Sequence, residues 1–353
     1  MSILVTGGAG FIGSNFILQW LRHADEPVIN LDKLTYAGHA GNLDSLRGDA
    51  RHQLVQGDIA DAGLVAQLLA AHRPRAVLNF AAESHVDRAI RGPDAFIQTN
   101  VTGTFQLLEA VRAHWQALDG PARAGFRYLQ VSTDEVYGSL EPQAPAFAEG
   151  DPYRPNNPYS ASKAAGDHLV RAYRHTYGLP VLTTHCPNNY GPRQFPEKLI
   201  PLLIHQALAG KPLPLYGDGS HIRDWLHVDD HCAGVRRVLE AGEPGQVYHI
   251  GAGQERSNAQ VAQAVCALLD DWRPRAGGRP YGELITFVRD RPGHDRRYAI
   301  DAGKIRRQLG WRPAHGFDDG LRATVQWYLD NPHWVASVAG GAYRHWLQTQ
   351  YAP

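Results

Sequence analysis

Short apolar runs alternate with segments of helical periodicity through the first half of the chain. Each run is rich in Val, Ile and Leu and short enough to form a strand buried on both faces. Between the runs, apolar residues recur every three or four positions, which predicts amphipathic helices. The predicted strands are 3–5, 28–32, 52–57, 76–80, 126–132 and 181–186, and the predicted helices are 11–21, 64–71, 101–115 and 159–177. This alternation predicts an α/β fold built on a doubly wound parallel sheet.

Polar residues collect where the predicted strands end. Asp32 and Asp58 follow the second and third strands, and Thr133, Asp134 and Glu135 follow the fifth. In an open parallel sheet, ligands bind in the crevice outside the carboxyl ends of the strands. The pattern therefore predicts a binding site along this edge of the sheet.

A glycine turn joins the first predicted strand to the first predicted helix. Gly7, Gly10 and Gly13 provide a tight turn, a close approach to a pyrophosphate and close packing of helix on strand. Asp32 follows Gly13 by 19 residues and ends the second strand, where a carboxylate can accept a hydrogen bond from a ribose hydroxyl. This context predicts a Rossmann dinucleotide site and favours NAD over NADP, although Lys33 weakens that preference slightly.

The composition of the chain changes after Pro187, where prolines and glycines become frequent. We expect a smaller lobe here that covers the top of the sheet and binds the substrate. The apolar run 246–250 is typical of a strand that returns to the sheet, so the lobes interleave in sequence. The predicted division is a dinucleotide-binding domain over 1–187 with a returning segment over about 226–252, and a substrate-binding lobe over 188–225 and 253–353.

Composition excludes several classes of function. Lys+Arg and Asp+Glu are both 35, so no net charge favours nucleic acid or an anionic membrane. The three cysteines, Cys186, Cys232 and Cys266, form no Cys-x-x-Cys or Cys/His cluster, which argues against a disulfide framework or a metal site. No apolar run reaches the roughly 18 residues that span a bilayer. With no basic leader or cleavage site at the start of the chain, we expect a soluble cytoplasmic protein.

Arginines cluster near one point in the second half, which suggests either a solvated surface or diphosphate binding. They are Arg289, Arg291, Arg296 and Arg297.

Candidate catalytic residues lie at the fifth strand end and at the start of the following helix. Tyr159 and Lys163 are four residues apart and share one helix face. A neighbouring ammonium lowers the pKa of a phenol, so the pair can remove a proton from a sugar hydroxyl. Asp134 and Glu135 add an acid and a base, provided that the chain turns there and that burial or Glu135 keeps Asp134 protonated. The alternative is that both are solvated loop acids.

Long motifs along the chain resemble the extended short-chain dehydrogenases, and among them most closely the dTDP-glucose 4,6-dehydratases. The resemblance runs from residue 2 to about residue 350. The motifs are 32–38, 81–88, 132–138, 188–192, 195–201, 223–229 and 290–294. The chain departs from the family pattern in a longer stretch at 37–43, at Pro187, and at Arg193 and Gln194.

The resemblance implies a role for each candidate catalytic residue. Tyr159 takes the proton from the glucose C4 hydroxyl, Thr133 hydrogen-bonds that oxygen, and Lys163 holds Tyr159 and the nicotinamide ribose. Glu135 removes the C5 proton, and Asp134 protonates the C6 hydroxyl that leaves as water. NAD takes the C4 hydride and returns it to C6, so it is regenerated in each turnover.

The resemblance also implies binding residues and an assembly. Further contacts to NAD are expected from Phe11, Ile12, Asp32, Lys33, Leu34, Thr35, Asp58, Ile59, Ala82, Thr99 and Asn189. Contacts to the nucleotide sugar are expected from Ser84, Asn188, Lys198, Leu199, Pro214, Tyr216, Arg223, Asn258, Asp290, Arg291, Pro292, Gly293 and His294. Arg223 and Arg291 match diphosphate oxygens, or alternatively pair with Asp224 or Asp290. A homodimer is expected through helices 101–115 and 159–177.

Three alternatives stay open at this point. A nucleotide-sugar 4-epimerase needs the Tyr/Lys pair but not Asp134 and Glu135. A 4,6-dehydratase of a CDP- or UDP-sugar differs only in its base pocket. A non-catalytic NAD-binding protein on the same fold would have lost residues such as Tyr159, Lys163 or Glu135, and all three are present.

Overall fold

The computed structural model describes residues 1–340. Its strands are β1 (Ile3–Thr6), β2 (Val28–Asp32), β3 (His52–Gln56), β4 (Ala76–Asn79), β5 (Arg127–Thr133), β6 (Val181–Cys186), β7 (Asn188–Tyr190), β8 (Leu213–Tyr216), β9 (Ile222–His227), β10 (Val247–His249), β11 (Glu255–Ser257) and β12 (Ile285–Val288). Its α-helices are α1 (Phe11–His23), α2 (Ala62–His72), α3 (Val86–Arg91), α4 (Asp94–Phe96), α5 (Thr104–Ala117), α6 (Gly120–Gly125), α7 (Pro158–Tyr177), α8 (Leu199–Leu208), α9 (Val228–Ala241), α10 (Asn258–Trp272), α11 (Gly303–Leu309), α12 (Phe317–Asp330) and α13 (Pro332–Val338). 3₁₀ turns lie at Ala40–Leu46, Asp134–Tyr137, Ala276–Gly278 and Tyr281–Leu284, and a π-helix at Ile97–Gly103.

Seven strands form one parallel sheet in the order β10-β6-β5-β4-β1-β2-β3. The order reverses at β1, which lies between β2 and β4 with Ile3 opposite Val28 and Ala76. The predicted doubly wound parallel sheet is confirmed, and the six predicted strands lie within one or two residues of their predicted bounds. The predicted strand 246–250 also joins the sheet, as β10 beside β6. The exact division between two lobes stays a prediction.

Apolar cores cover both faces of this sheet. On one face, Phe16 of α1 packs with Val235 of α9 and Ile305 of α11. On the other face, Leu108 of α5 packs with Val170 of α7 among further buried residues. Burying one such side chain contributes about 1.5–3 kcal/mol, so these two cores fix the sheet and hold its carboxyl edge in place.

Local signals in the sequence start and stop α7, the helix that carries Tyr159 and Lys163. The Asn157 side chain accepts a hydrogen bond from Ser160 N at 2.9 Å, and the Ser160 hydroxyl accepts one from Asn157 N. Pro158 occupies the first helical position, where its missing N–H costs nothing. Gly178 ends the helix with φ +73°. The capped first turn therefore fixes the positions of Tyr159 and Lys163.

The predicted helix 101–115 differs from the structure at its start. Residues Ile97–Gly103 form a π-helix, and the α-helical hydrogen bonding of α5 begins only at Thr104. Within this wider turn, Asn100 donates hydrogen bonds to Glu83 O at 3.0 Å and to the Ser162 hydroxyl at 2.9 Å. A Cβ at Gly166 would come within 2.9 Å of Asn100 O, so α7 packs directly against the π-helix. Helical periodicity within one segment does not predict this contact between distant segments.

Two small sheets complete the fold, and β7 of the first follows the carboxyl end of β6 after one residue. One has the order β11-β9-β7 and the other pairs β12 with β8 in parallel. The pairing of Val288 with Tyr216 brings the segment 290–294 next to β8. Within residues 1–340, no helix is long and apolar enough to cross a membrane.

Candidate active site

The glycine turn between β1 and α1 has the geometry of a phosphate-binding loop. Gly7 has φ +69°, and a Cβ there would lie 2.6 Å from Ala81 N. A Cβ at Gly13 would lie 2.3 Å from Gly7 O, so α1 packs against the turn too closely for a side chain. The N-terminal end of α1 is thereby held at the edge of the sheet, where its N–H groups and dipole favour phosphate.

Asp32 braces this turn from the end of β2. Its carboxylate accepts hydrogen bonds from Ala9 N and Leu34 N, each at 2.8 Å. Burial raises the pKa of Asp32, and the two backbone donors oppose that effect. Each oxygen keeps a further lone pair for a ribose hydroxyl. Nearby, Lys33 forms an ion pair of 2.6 Å with Asp58, which places two predicted cofactor residues together.

A sharp turn at the end of β5 presents the two predicted acid–base residues. Residues Asp134–Tyr137 form a 3₁₀ turn that begins at Thr133, whose hydroxyl accepts a hydrogen bond from Glu135 N at 3.2 Å. The turn ends at Gly138, where φ is +86° and a Cβ would lie 2.3 Å from Arg154 O. The expectation that the chain turns here is therefore confirmed.

The Asp134 side chain is buried and has the properties of a protonated acid. The residue is 1% exposed. Burial raises the pKa of Asp134 well above its usual range, and the neighbouring Glu135 carboxylate raises it further. Its Oδ2 atom has no hydrogen-bond partner among the described residues. The alternative of a solvated loop acid is therefore wrong for Asp134.

Tyr159 and Lys163 lie buried beside this turn. Lys163 Nζ donates a hydrogen bond to Val131 O at 2.8 Å, and burial lowers the pKa of Lys163. Burial and the Glu135 carboxylate raise the pKa of Tyr159 well above its usual value, against one lowering hydrogen bond with Thr133. The expected lowering of the phenol pKa is wrong for the protein alone, because burial and the Glu135 carboxylate are the largest influences on Tyr159 and both raise its pKa.

One cleft brings together most of the predicted cofactor and catalytic residues. The predicted residues that line it are Gly7, Gly10, Phe11, Ile12, Gly13, Asp32, Lys33, Thr35, Asp58, Ile59, Ala82, Ser84, Thr99, Thr133, Asp134, Glu135, Tyr159, Lys163, Asn188, Asn189 and Lys198. The predicted residues outside this lining are Leu34, Leu199, Pro214, Tyr216, Arg223, Asn258, Asp290, Arg291, Pro292, Gly293 and His294.

Sequence reasoning missed several residues of the cleft, among them Glu83 and Glu197. Burial raises the pKa of both carboxyl groups. Glu197 pairs with Arg88 at 3.1 Å, and the Arg88 guanidinium lies 3.8 Å from the centre of the Tyr36 ring. Both acids belong to family motifs noted in the sequence, at 81–88 and 195–201, so the motifs marked these positions without revealing the network.

Two of the residues outside the lining still act on the catalytic turn. The charges of Arg223 and Arg291 both interact with Glu135. Arg223 donates a hydrogen bond to Asp295 O at 2.9 Å, and Arg291 lies 3.4 Å from Asp87 Oδ1. Within residues 1–340, neither guanidinium forms an ion pair with the expected alternative partner, Asp224 or Asp290, although the Arg291 backbone N–H donates a hydrogen bond to Asp290 Oδ1 at 2.9 Å.

The arginine cluster and the adjacent histidines resolve into separate contacts. Arg297 forms a bidentate ion pair with Glu255, with its second contact at 2.8 Å, so its charge is used within the protein.

Possible metal ligands of His221, Asp290 and His294 lie within 4.8 Å of one another. The two imidazole rings stack 3.5 Å apart at 13°, so their in-plane lone pairs run nearly parallel and do not meet at one point. The prediction of no metal stays a prediction.

The chain matches one family over most of its length and has close relatives. The sequence model of the family described as GDP-mannose 4,6 dehydratase matches residues 4–324. A dTDP-glucose 4,6-dehydratase of Xanthomonas campestris pv. campestris (strain B100) is 61% identical over 341 residues, which are 97% of each chain.

The chain belongs to the dTDP-glucose 4,6-dehydratase family.

Solved structures of this family have the same fold. The dTDP-glucose 4,6-dehydratase DesIV of Streptomyces venezuelae, crystallised with NAD and TYD bound, is 46% identical with a TM-score of 0.87, over 96% of this chain and 100% of the other. The enzyme of Bacillus anthracis str. Ames in complex with NAD is 43% identical with a TM-score of 0.84, over 96% and 99% of the two chains. The resemblance drawn from the sequence motifs is confirmed.

Proposed function

We propose that this protein is a dTDP-glucose 4,6-dehydratase that uses NAD and forms dTDP-4-keto-6-deoxyglucose. One observation carries the proposal: a buried acid with a raised pKa, Asp134, is adjacent to Glu135 in the same cleft as Tyr159, Lys163 and the glycine turn. Oxidation at an alcohol carbon and loss of water need an acid and two bases around one sugar, and this cleft supplies candidates for all three.

The fit of NAD rests on donors and acceptors of this chain. The glycine turn and the start of α1 offer backbone N–H groups to the diphosphate, and Asp32 offers acceptors to the adenosine ribose. Asp58 and Ile59 line the cleft where we place the adenine. The remaining proposed contacts are Phe11, Ile12, Lys33, Leu34, Thr35, Ala82, Thr99, Tyr159, Lys163 and Asn189.

Tyr159 begins the proposed reaction as the base that removes the proton of the C4 hydroxyl. Thr133 orients that oxygen, since its own hydroxyl hydrogen-bonds Tyr159. NAD, when bound, supplies the acceptor of the C4 hydride, the positive charge that favours the phenolate, and the hydride that returns to C6. Lys163 adds a positive charge one helical turn beyond Tyr159, and the hydrogen bond to Val131 O holds its ammonium group in place.

Glu135 and Asp134 carry out the elimination of water. A C4 ketone acidifies the C5 hydrogen, and the Glu135 carboxylate removes that proton. Asp134 donates its proton to the C6 hydroxyl, which leaves as water. When C6 takes the hydride, C5 takes a proton from Glu135, so over the whole reaction Tyr159 gains one proton and Asp134 loses one. The raised pKa of Asp134 suits this acid role, because the proton is held until the leaving group needs it.

Basic residues from three segments, β9, the loop after β12 and the start of α8, are proposed to hold the nucleotide diphosphate. The planar guanidinium groups of Arg223 and Arg291 match diphosphate oxygens, and Lys198 lines the cleft beside Ser84, whose carbonyl it contacts at 2.7 Å. The other proposed substrate contacts are Asn188, Leu199, Pro214, Tyr216, Asn258, Asp290, Pro292, Gly293 and His294.

Mass spectrometry of the purified protein with dTDP-glucose tests this proposal. We expect the sugar nucleotide to lose the mass of one water, with no net consumption of NAD. CDP-glucose and UDP-glucose, tested in parallel, are expected to react at least tenfold more slowly. Faster reaction of either would assign the chain to another nucleotide, and a product of unchanged mass would favour the 4-epimerase alternative.

We also propose a homodimer formed through α5 and α7. Ile97, Phe105 and Tyr177, on the π-helix, α5 and α7, are large apolar residues that are 46%, 39% and 44% exposed. Two long helices with exposed apolar side chains fit a two-fold interface. We further propose that the protein works in the cytoplasm, which the three free, buried cysteines support.

A further inference from the structure

A buried carboxylate lies one helical turn beyond Lys163 and has no part in the chemistry proposed above. Asp167 is 4% exposed and lies on the α7 face that packs against β5 and β6. Its Oδ2 atom accepts a hydrogen bond from the Ser132 hydroxyl at 2.6 Å and lies 3.2 Å from His185 Nε2. Its Oδ1 atom has no hydrogen-bond partner within residues 1–340. Burying such a group is costly unless a positive charge compensates it.

Lys163 is the buried cation that Asp167 faces. The two residues are four apart on one helix, which places their side chains on the same face. Burial lowers the pKa of Lys163, and the Asp167 carboxylate is the largest influence that opposes it. Cys186 also faces Lys163, but burial raises the pKa of its thiol, so it is neutral at pH 7. Asp167 is therefore the charge that compensates Lys163 from within the protein core.

The same carboxylate ties the helix to the catalytic strand end. Ser132, which bonds Asp167, immediately precedes Thr133, and Val131, which precedes Ser132, accepts the hydrogen bond from Lys163. Asp167 and Lys163 therefore hold adjacent residues of β5. The network continues away from the cleft, because the Tyr137 hydroxyl lies 2.8 Å from both His185 Nδ1 and His249 Nε2.

Further ionisable groups from the packed elements face this pair. They are Tyr128 on β5, His185 and Cys186 on β6, Tyr137 in the 3₁₀ turn and Tyr153 before α7. Asp134, Glu135 and Tyr159 line the same cleft as Lys163.

We propose that Asp167 is a positioning residue that keeps Lys163 charged and in place beneath Tyr159. It thereby sets the pH range in which Tyr159 acts as a base. This inference rests on the roles proposed for Tyr159 and Lys163. Asp167 itself touches neither substrate nor cofactor and acts only through Lys163 and Ser132.

The first test measures the pKa of Lys163 directly. The chain has five lysines, so ¹³C labelling of lysine gives five side-chain signals, and Lys163→Met assigns the one that matters. Asp167→Asn keeps the shape and the acceptor for Ser132 but removes the charge. We expect it to lower the pKa of Lys163 by about one to two units, as for two charges several ångströms apart at an intermediate dielectric. Ser132→Ala removes the hydrogen bond but keeps the Asp167 charge. We therefore expect it to change the pKa of Lys163 by less than about half as much as Asp167→Asn does.

The second test is the pH profile of kcat/KM with dTDP-glucose. When Lys163 loses its proton more easily, the Tyr159 phenolate is less favoured, so the acid limb of the Asp167→Asn profile moves to higher pH. We expect about a tenfold loss of kcat/KM near neutral pH, largely recovered at high pH. A purely structural role would lower the whole profile without moving the limb.

Unchanged titration of Lys163 in Asp167→Asn would overturn the inference. If that variant does not fold, Asp167→Ser removes the same charge from a smaller side chain and carries the same expectation. Because the lysine titration needs no turnover, it tests this inference even if dTDP-glucose proves not to be the substrate. Failure of the proposed function would appear separately, as an intact pKa shift without water loss.

Discussion

At the scale of single residues, Asp134 and Glu135 are adjacent in the sequence but lie in different environments. Asp134 is buried at the base of a 3₁₀ turn, while Glu135 is half-exposed to the cleft and reaches Tyr298, whose hydroxyl lies 3.4 Å from its Oε2. Only the Asp134 carboxyl group is fully buried, and burial raises its pKa and favours its protonated form, as the acid of an acid–base pair requires.

Glu135→Gln tests the base directly. The amide cannot remove the C5 proton, so we expect water loss to fall roughly 100- to 10,000-fold. C4 oxidation should persist, because Tyr159, Thr133 and Lys163 remain in place. The measurement is the rate of water loss by mass spectrometry, with Glu141→Gln on the following loop as the control. Near-parental product formation by Glu135→Gln would mean that another group is the base.

Asp134→Asn separates function from stability. Because the pKa of Asp134 is raised in the folded state, its contribution to stability is full below pH 3.8 and is lost as pH rises through the folded pKa. Asparagine does not titrate, so the variant should be more stable than the parent at pH 8. The difference in stability between the two proteins should be smaller at pH 5. Its water-loss rate should fall at least about 100-fold.

Thermal unfolding of both proteins at the two pH values checks the margin. A margin that widens on acidification would show that Asp134 is ionised in the folded protein and would remove it as the acid.

The residue types of the site could be predicted from sequence, but their electrostatics could not. Spacing identified Asp32, Tyr159 and Lys163, and adjacency identified Asp134 and Glu135. The predicted direction of the Tyr159 pKa shift was wrong. The shift depends on burial and on Glu135, which lies 24 residues earlier in the chain. Pairing distances between distant segments are not encoded in local spacing.

At the scale of elements, the strand–turn–helix units place each functional group. The turn after β5 can reverse so tightly because Gly138 adopts φ +86° beneath Arg154 O. A side chain there would strain the backbone and push the catalytic turn away from the segment that covers it.

Gly138→Ala should therefore destabilise the protein by about 1–3 kcal/mol and reduce activity with it. Gly150→Ala is the matched control, since a Cβ at that exposed glycine meets no atom within 4 Å and its φ is not positive. Urea unfolding of the two variants measures the difference. Equal stabilities would show that the turn tolerates a side chain and relaxes without cost.

Element prediction succeeded where the pattern is local and failed where packing decides. The six strands of the first half were predicted from short apolar runs. The π-helix at Ile97–Gly103 was not, because it depends on α7 approaching at Gly166. Two departures from the family pattern also meet: Arg193 Nε donates a hydrogen bond to Asn42 O at 3.2 Å. The sequence of 37–43 and the sequence around Arg193 do not indicate this contact when each is considered alone.

At the scale of the whole molecule, the sheet order explains where the cleft lies. The order reverses at β1, and the glycine turn, Asp32 and the turn after β5 all follow strands of this sheet at one edge. The alternation of strands and helices predicted this arrangement. The two small sheets were not predicted, because their strands are three to six residues long and lie among prolines and glycines.

The proposed dimer is also tested at this scale. Phe105→Glu places a charge on the exposed apolar face of α5, so it should shift the protein from twice the mass of one chain towards a single chain. Leu208→Glu, a similarly exposed apolar position on α8, should leave the mass unchanged. Sedimentation equilibrium distinguishes the two variants. A parent protein that already sediments as a single chain would contradict the dimer.

The reaction of dTDP-glucose in D₂O, followed by NMR and mass spectrometry of the product, tests the roles of Glu135 and Asp134 together. If Glu135 removes the C5 proton and Asp134 assists the loss of water, the product carries solvent deuterium at C5. The hydrogen that began at C4 is then found at C6. A product that retains C6 oxygen, or one with the original hydrogen at C5, would contradict the roles assigned to both acids.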